Sequence, residues 1–361
     1  MKLYTCSNCH SLIYFENNIC LHCGYALGFN ANTLSLVTLV SEGNSLFSNI
    51  QNKQEEFRYC RNSEYATCNW LIHASKADDF CVACGLNRVI PDLTRDENMK
   101  RWKNIEVAKH RLVYSLLRLR LPVIKKVKNE ESGIAFDFLA DTSLKEKVIT
   151  GHDNGTITLN IEEADEAARV RHKQDLGERY RTLLGHFRHE TGHYYWDLLI
   201  KNSSVLEKYR SLFGNELSDY PEALNNYYKN NAPPDWSEHF ISPYASSHPW
   251  EDWAETWAHY LHLMDTLETA FSFGIRIQPD MIQDTIRIQA SIQQDPYDMT
   301  DFRQILKWWL PLTFAVNSLN RSMGHSDFYP FVISDPVVGK LEFIHEVCLK
   351  NAGLDTVYPR W

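Results

Sequence analysis

Between Leu183 and Trp196 the chain reads LLGHFRHETGHYYW, and five of these residues, His189-Glu190-Thr191-Gly192-His193, have types and spacing that can do chemistry together. On a helix, two histidines four positions apart leave the same face, since four residues make little more than one turn. Two such imidazoles offer a zinc ion two nitrogen ligands from one rigid element. Glu190 stands beside them, where its carboxylate can take a proton from a metal-bound water without ligating the metal. Leu183, Phe187, Tyr194 and Leu198 fall on another face and can bury against a core. Gly192 is a poor helix former, and its place here reads as room cleared for close packing. The same five residues can also occur on a surface helix by chance, so the rest of the chain must decide.

A catalytic zinc takes a third protein ligand and keeps one position for water. Downstream of His193 the candidates are Glu222, His248, Glu251, Asp252, Glu255 and His259. Four of these lie in Trp250 to His262, a plain helix with two distinct faces. Glu251, Glu255, Ala258 and His262 share one narrow stripe at 100° per residue, while Trp250, Trp253, Trp257, Tyr260 and Met264 cover the other side. The tryptophans read as core rather than as a substrate platform. Asp197, one turn past His193, fits either a place behind the ligands or plain solvation. His186 reads as a packed or polar helix residue, not a fourth ligand.

A second kind of metal chemistry is written into residues 1 to about 95, which hold every cysteine except Cys348. Cys6-x2-Cys9 and Cys20-x2-Cys23 have the spacing of a four-cysteine zinc ribbon, with Gly24 easing the second turn. Cys60, Cys68, Cys81 and Cys84 form a second set, one half a Cys-x2-Cys knuckle followed by Gly85 and the other half widely spaced. A second zinc is the best account of them, because four reduced thiols would otherwise be a liability. Spacing leaves the pairing between the two sets open, and His10, His22 or His73 could substitute as ligands. Both sites are expected to be structural, since four thiolates leave no open position, and a region this poor in aliphatic residues is expected to need its metals to fold. Cys348 reads as a buried small hydrophobe.

The elements that must position these residues follow from periodicity. Residues 91–97 read as a hinge. Asn98 to about Arg120 repeats apolar residues at helical spacing and ends before Pro122. Gly133 to Leu139 alternates as a strand, and Val148–His152 and Thr156–Ile161 flank Asp153-Asn154-Gly155, a hairpin turn. A helix from about Glu163 and the helix carrying His189 and His193 come next. Leu206–Phe213 and Tyr220–Tyr228 are aromatic-rich and helical, and a polar loop runs from Asn230 to Pro249. Further helices and a short tail occupy the chain from about Gln278, with no chemistry to assign.

Length and composition bound the rest. The 361 residues make one large or two modest domains, and 44% apolar with 23% charged residues is ordinary for a soluble globular chain. A net charge of −9 argues against a general nucleic-acid binder and against an anionic membrane surface. Lys and Arg nevertheless crowd the stretch from Lys100 to Lys128, where Glu106 is the single acid. That run reads as a solvated helix face docking on an acidic domain, with RNA or an acidic partner as the alternative. No apolar leader follows Met1-Lys2, and Trp308 to Val316 is too short for a bilayer and broken by Pro311, so the chain reads as cytoplasmic.

Nearly the whole chain resembles the bacterial zinc-binding metallopeptidases that join an N-terminal zinc ribbon to a peptidase domain. The cysteine sets, His189 to His193, and Ser242 to Thr256 carry the resemblance. More locally, Glu251-x-x-Ala254-Glu255 resembles the glutamate helix of gluzincins similar to anthrax lethal factor, where a tyrosine seven residues upstream reaches the active site. The resemblance implies an α+β chain: a ribbon domain over residues 1–95 with two structural zinc sites, then a mostly helical, zincin-like metallopeptidase domain over 96–361 with a small β-sheet. By analogy, an edge strand of that sheet holds a peptide by added β-pairing. It further implies Glu251 as third ligand, Tyr244 as hydrogen-bond donor to the developing oxyanion, Glu255 as the residue orienting a ligand histidine, and His248 as a helper near the oxyanion. Glu190 would take a proton from the zinc-bound water and hand it to the leaving amine. Two functions then compete. One is a peptidase acting on a protein or peptide with one catalytic and two structural zinc ions. The other is an inactive, zincin-like binding or regulatory protein whose ribbon recruits a protein or nucleic-acid partner. The intact Glu190 and the acidic balance of the ribbon speak for the first.

Overall fold

The computed structural model describes residues 2–126, 132–141, 148–166, 182–279 and 288–352. Their packing forms two compact units, one of residues 2–166 with 182–187 and one of residues 188–352.

In the first unit, β1 (Tyr4–Thr5) and β2 (Leu12–Ile13) pair antiparallel on either side of the Cys6–Cys9 turn. A five-stranded antiparallel sheet follows in chain order: β3 (Ala26–Asn30), β4 (Ser35–Gly43), β5 (Leu46–Asn49), β6 (Asn52–Tyr59) and β7 (Leu71–His73). Sequence reading assigns no strand here. In β4 the buried residues Leu36, Val37, Thr38 and Leu39 run consecutively, as in a strand covered on both faces, so the alternation that marks a half-buried strand is missing. Val37, Leu39, Phe57 and Leu71 form one core cluster, and Phe15, Phe29, Trp70 and Tyr114 interlock beside it with ring centroids 4.7 to 6.2 Å apart.

The helix expected from Asn98 is α1 (Asp96–Arg118), ending where Arg120 turns left-handed ahead of Pro122. A second sheet has the order β10-β11-β9-β8, from β8 (Asn87–Val89), β9 (Ala135–Leu139), β10 (Gly151–Asp153) and β11 (Thr156–Asn160). The expected β10–β11 hairpin is present. Asn154 and Gly155 both take positive φ, 45° and 78°, as a type I′ turn demands. Because β8 pairs parallel with β9, a strand that precedes residue 95 belongs to the sheet of the later domain. Three members of the basic run are paired inside this unit: Arg101 with Asp165 at 2.6 Å, Arg111 with Glu16 at 2.5 Å, and buried Lys109 with Glu106 at 2.9 Å. Lys128, most of the helix expected from Glu163 and the tail beyond residue 352 lie outside the described residues.

The second unit is helical. It takes over α2 (Leu183–Leu199) from Arg188 onward and adds α3 (Leu206–Phe213), α4 (Tyr220–Asn230), α5 (Trp236–His239), α6 (Pro249–Ser272), α7 (Phe302–Ser322) and α8 (Asp335–Asn351), with a small hairpin of β12 (Arg276–Ile277) and β13 (Ala290–Ser291). Trp253 and Trp257 are core, as expected; they stack at 5.7 Å, and Tyr195 stacks on Trp257 at 5.0 Å. Gly192 lets α2 meet α6 backbone to backbone. A Cβ there would lie 2.9 Å from the Ala254 Cα, and the Trp253 indole N–H donates to the Gly192 carbonyl at 2.8 Å. A buried ion pair, Lys340 to Asp252 at 2.6 Å, joins α8 to α6. The helix α7 continues through Pro311. Among the described residues no helix is long and apolar enough to cross a membrane.

Candidate metal centre

α2 and α6 bring His189, His193 and Glu251 together, with one ligand atom from each inside 4.8 Å. His189 Nε2 lies 3.2 Å from His193 Nε2 and 3.0 Å from Glu251 Oε2, and His193 Nε2 lies 3.6 Å from Glu251 Oε1. Bonds of 2.0–2.2 Å to a tetrahedral zinc set ligand-to-ligand edges of about 3.3–3.6 Å, and the observed separations, which reach Glu251 Oε2 from one histidine and Oε1 from the other, lie around that value. The chemistry of the three atoms fits as well. Glu255 Oε1 sits 2.7 Å from His189 Nδ1, so that nitrogen carries the proton and Nε2 turns its lone pair to the centre. Glu251 is 1% exposed, and its Oε2 accepts no hydrogen bond among the described residues. Converging lone pairs in a buried place repel unless a cation sits between them.

The surroundings favour positive charge there. Burial alone would push the His189 imidazole toward neutrality, but the Glu251 and Glu255 carboxylates outweigh it and raise its proton affinity well above the usual value. For Glu251, burial works upward, while His193 and His189 hold the carboxyl well below its ordinary range. Ser242 donates to the other Glu255 oxygen at 2.6 Å, fixing the carboxylate that fixes His189. Trp250 is not in the core with Trp253 and Trp257: it is half-buried, its ring 3.9 Å from that of His193. Glu190 is half-buried, and among the described residues its carboxylate makes no hydrogen bond or ion pair. Its charge is felt at the hydroxyl of Tyr220. The Tyr244 ring lies 6.1 Å from that of His189, and burial, then the Glu251 charge, push its phenol far up, so it stays a donor at any working pH.

Other sequence candidates are occupied elsewhere. His248 caps α6: its Nδ1 accepts the Trp250 N–H at 3.1 Å, and its Nε2–H donates to the Ser218 carbonyl at 3.2 Å. Both nitrogens are thus taken by backbone, which corrects the expectation of a helper at the oxyanion. Asp252 faces Lys340, Glu222 is exposed, and His259 meets the Tyr329 hydroxyl at 2.9 Å. Asp197 pairs with Lys201 at 3.1 Å, His186 pairs with Glu163, and His262, on the Glu251–Glu255 stripe, meets Arg188. Sequence reading missed Tyr220, whose hydroxyl donates to Glu251 Oε1 at 2.6 Å. The available signal was Asp219-Tyr220-Pro221, a helix cap and an N-terminal proline that place Tyr220 at the start of α4.

The cysteines resolve into the two sets as sequence order has them, Cys6, Cys9, Cys20 and Cys23 in one and Cys60, Cys68, Cys81 and Cys84 in the other. The Cys6–Cys23 and Cys9–Cys20 sulfurs are 3.6 Å apart and the Cys68–Cys81 pair 3.8 Å, close to the roughly 3.8 Å edge of a tetrahedron with 2.3 Å zinc–sulfur bonds. His10, His22 and His73 join neither set among the described residues. The second set abuts α1. Cys84 Sγ lies 3.5 Å from His110 Nε2 and 3.6 Å from Glu106 Oε2, while Glu106 Oε1 receives Lys109, Asn87 at 2.7 Å and the Trp102 indole at 3.1 Å. Cys348 is buried, as expected.

A family model described as "Putative zinc-binding metallo-peptidase" matches residues 98–347. The chain belongs to that family. A second model, a zinc-ribbon domain, matches residues 3–95 ahead of it, so the family's peptidase region here follows a cysteine-rich ribbon in a mixed α and β chain. The chain is 38% identical over 348 residues to uncharacterized proteins of Mycobacterium tuberculosis and Mycobacterium bovis, covering 96% of this chain and 95% of each relative. No solved structure matches it.

Proposed function

We propose that this chain is a zinc-dependent peptidase, cytoplasmic and acting on a protein or peptide, with one catalytic and two structural zinc ions. One observation carries the reading: His189 Nε2, His193 Nε2 and the Glu251 carboxylate converge in one buried place at separations of 3.0 to 3.6 Å, while the Glu190 carboxylate beside them makes no hydrogen bond or ion pair among the described residues. Zinc bound there supplies a Lewis acid that polarises a carbonyl and acidifies a water. Glu190 takes the proton of the attacking water and returns it to the leaving amine. Glu255 and Ser242 hold His189 in the tautomer that ligates. Tyr244, a phenol kept protonated by burial and the Glu251 charge, donates to the oxygen on which negative charge develops. The cysteine sets, closed by four thiolates each, keep the ribbon folded and take no part in the reaction.

Elemental analysis with a peptide-hydrolysis assay tests the reading. Wild type should hold three zinc ions per chain, His189→Ala and His193→Ala two, and Glu190→Gln three with hydrolysis abolished. A Glu190→Gln chain as active as wild type, or two zinc ions in wild type and histidine variants alike, would refute it and leave the regulatory protein standing.

A further inference from the structure

We infer that Tyr220 is the positioning residue of the third ligand, holding Glu251 so that a single carboxylate oxygen meets the metal. The inference rests on the metal-site reading above and adds to it a residue that neither spacing nor family resemblance points to. The terminal torsion of a glutamate is soft, so a carboxylate near a cation can rotate and offer one oxygen or two. Here the Tyr220 hydroxyl donates to Oε1 at 2.6 Å, the oxygen that stands off from His193 Nε2 at 3.6 Å, and leaves Oε2, 3.0 Å from His189 Nε2, as the one without a donor among the described residues. One oxygen is thereby spoken for and the other aimed.

The hydroxyl is itself held in place. The Tyr220 ring stands edge-on to His248 at 5.1 Å and to Trp250 at 5.7 Å. The start of α4 is set by Asp219, whose carboxylate accepts the Glu222 N–H at 2.9 Å, and by Pro221. Two residues earlier the Ser218 carbonyl accepts from His248, the residue that caps α6 one turn before Glu251. His248 therefore ties the start of the ligand helix to the segment carrying Tyr220, so donor and acceptor are located by one side chain. Between Ser218 and Arg210, Glu216 accepts from the Arg210 guanidinium at 2.6 and 3.0 Å, anchoring the same segment to α3. A tyrosine that merely filled space would not need its oxygen; this one spends its only proton on a buried carboxylate. It follows that Tyr220 is not the donor to the substrate oxygen, a task that stays with Tyr244.

Tyr220→Phe in the full chain separates these roles. Removing a partner that orients a metal ligand typically costs roughly 10- to 100-fold in metal affinity. Competition with a chromogenic chelator should show the third zinc leaving Tyr220→Phe that much more readily, the other two zinc ions and the melting temperature staying as in wild type. With cobalt in the third site, the visible bands should weaken and shift in Tyr220→Phe as Glu251 rotates to offer both oxygens. Tyr244→Phe, which removes a phenol that touches the Tyr220 hydroxyl but leaves the donor to Glu251 in place, should disturb both readouts less than Tyr220→Phe and lower kcat. A Tyr220→Phe chain that grips its third zinc as firmly as wild type, with the same cobalt spectrum, overturns the inference. A wild-type chain holding only two zinc ions overturns the site reading, and Tyr220's role with it, before any substitution is made.

Discussion

Gly192→Ala sets two opposed magnitudes against each other in one residue between the ligand histidines. In the interior of a helix, alanine is favoured over glycine by about 1 kcal/mol, so propensity alone calls the substitution stabilising. The packing calls the reverse. An added Cβ would lie 2.9 Å from the Ala254 Cα and 3.2 Å from both Cβ and Cδ1 of Trp257, whereas carbon atoms rest at about 3.5–4.0 Å. Trp257 cannot swing clear, because it is fully buried and stacked between Tyr195 and Trp253. The Ala254 contact is backbone, so no rotamer relieves it, and α2 and α6 must part by roughly half an ångström. Overpacking of this kind costs about 1–3 kcal/mol, leaving a net loss of about 0–2 kcal/mol. The larger effect falls on the metal. His189 and His193 ride on one of these helices and Glu251 on the other, with cross-helix edges of 3.0 and 3.6 Å. A site of this kind tolerates about 0.5 Å of displacement, so zinc retention should fall at least tenfold, by about 1.4 kcal/mol or more. Urea unfolding of the zinc-loaded chain measures the first quantity and chelator competition the second. A Gly192→Ala chain that is more stable by about 1 kcal/mol and holds its third zinc unchanged would refute the backbone contact and the ligand geometry that depends on it.

Further outcomes follow from the same contacts. Glu255→Gln removes the negative charge behind His189 Nδ1 and should weaken the third zinc roughly tenfold while Ser242→Ala, which loosens only the far oxygen, does less; equal retention in Glu255→Gln and wild type would contradict this. Cys84→Ser should lose one zinc and, with it, hydrogen-exchange protection of α1 around Glu106, Lys109 and His110, whereas Cys9→Ser should lose another zinc and leave that protection standing. Burial presses His259 down to about 4, with the Glu255 charge working weakly against it. An imidazole depressed on folding contributes its stability in full above the unfolded value of about 6.5 and loses it as pH falls from there toward 4, a change of up to about 3 kcal/mol. Urea titrations at pH 7.5 and 5 should therefore converge in His259→Gln relative to wild type, and a wild-type stability that is flat over that range would count against the buried neutral imidazole.

The parts of this molecule that could be read from sequence are those whose geometry is set inside one element. Helix rise and pitch alone put His189 beside His193 and Glu251 in line with Glu255, two Cys-x2-Cys turns each fix a pair of sulfurs, and Asn154-Gly155 forces a hairpin. Even the resemblance to known peptidases rests on such local runs. What could not be read is set between elements. Tyr220 looks like one aromatic among several in an exposed helix, and only the cap of α6 by His248 and the hold on Ser218 bring it to a carboxylate 31 positions downstream. Glu106, Lys109 and His110 look like the charged face of a solvated helix, since residues three and four apart suit surface ion pairs as well as buried ones. They are buried because the second cysteine set, 22 residues before Glu106, folds its Cys84 sulfur against them. The basic run that reads as a docking face is, in the structure, partly the counter-charge of a thiolate cluster and partly ion pairs within the same unit.

The same contrast bears on how far the ribbon can be treated as a separate recruiting module. Family boundaries cut the chain between residues 95 and 98, but three links cross that cut within one compact unit: the parallel pairing of β8 with β9, the Arg88–Asp137 ion pair, and the Cys84 contact with α1. A chain beginning at residue 96 would leave Glu106 and Lys109 buried without Asn87, and His110 without its sulfur. Uncovering a buried charge network by removing its partners is strongly destabilising, typically by about 3–5 kcal/mol for a single broken pair. The truncated chain should then lose α1 and the sheet edge at β9, and circular dichroism would register less helix than residues 96–352 contain in the whole protein. Should residues 96–361 instead fold alone with α1 intact, the ribbon would be a detachable module after all, and its zinc sites would have to be explained by a partner and not by the peptidase region they rest on.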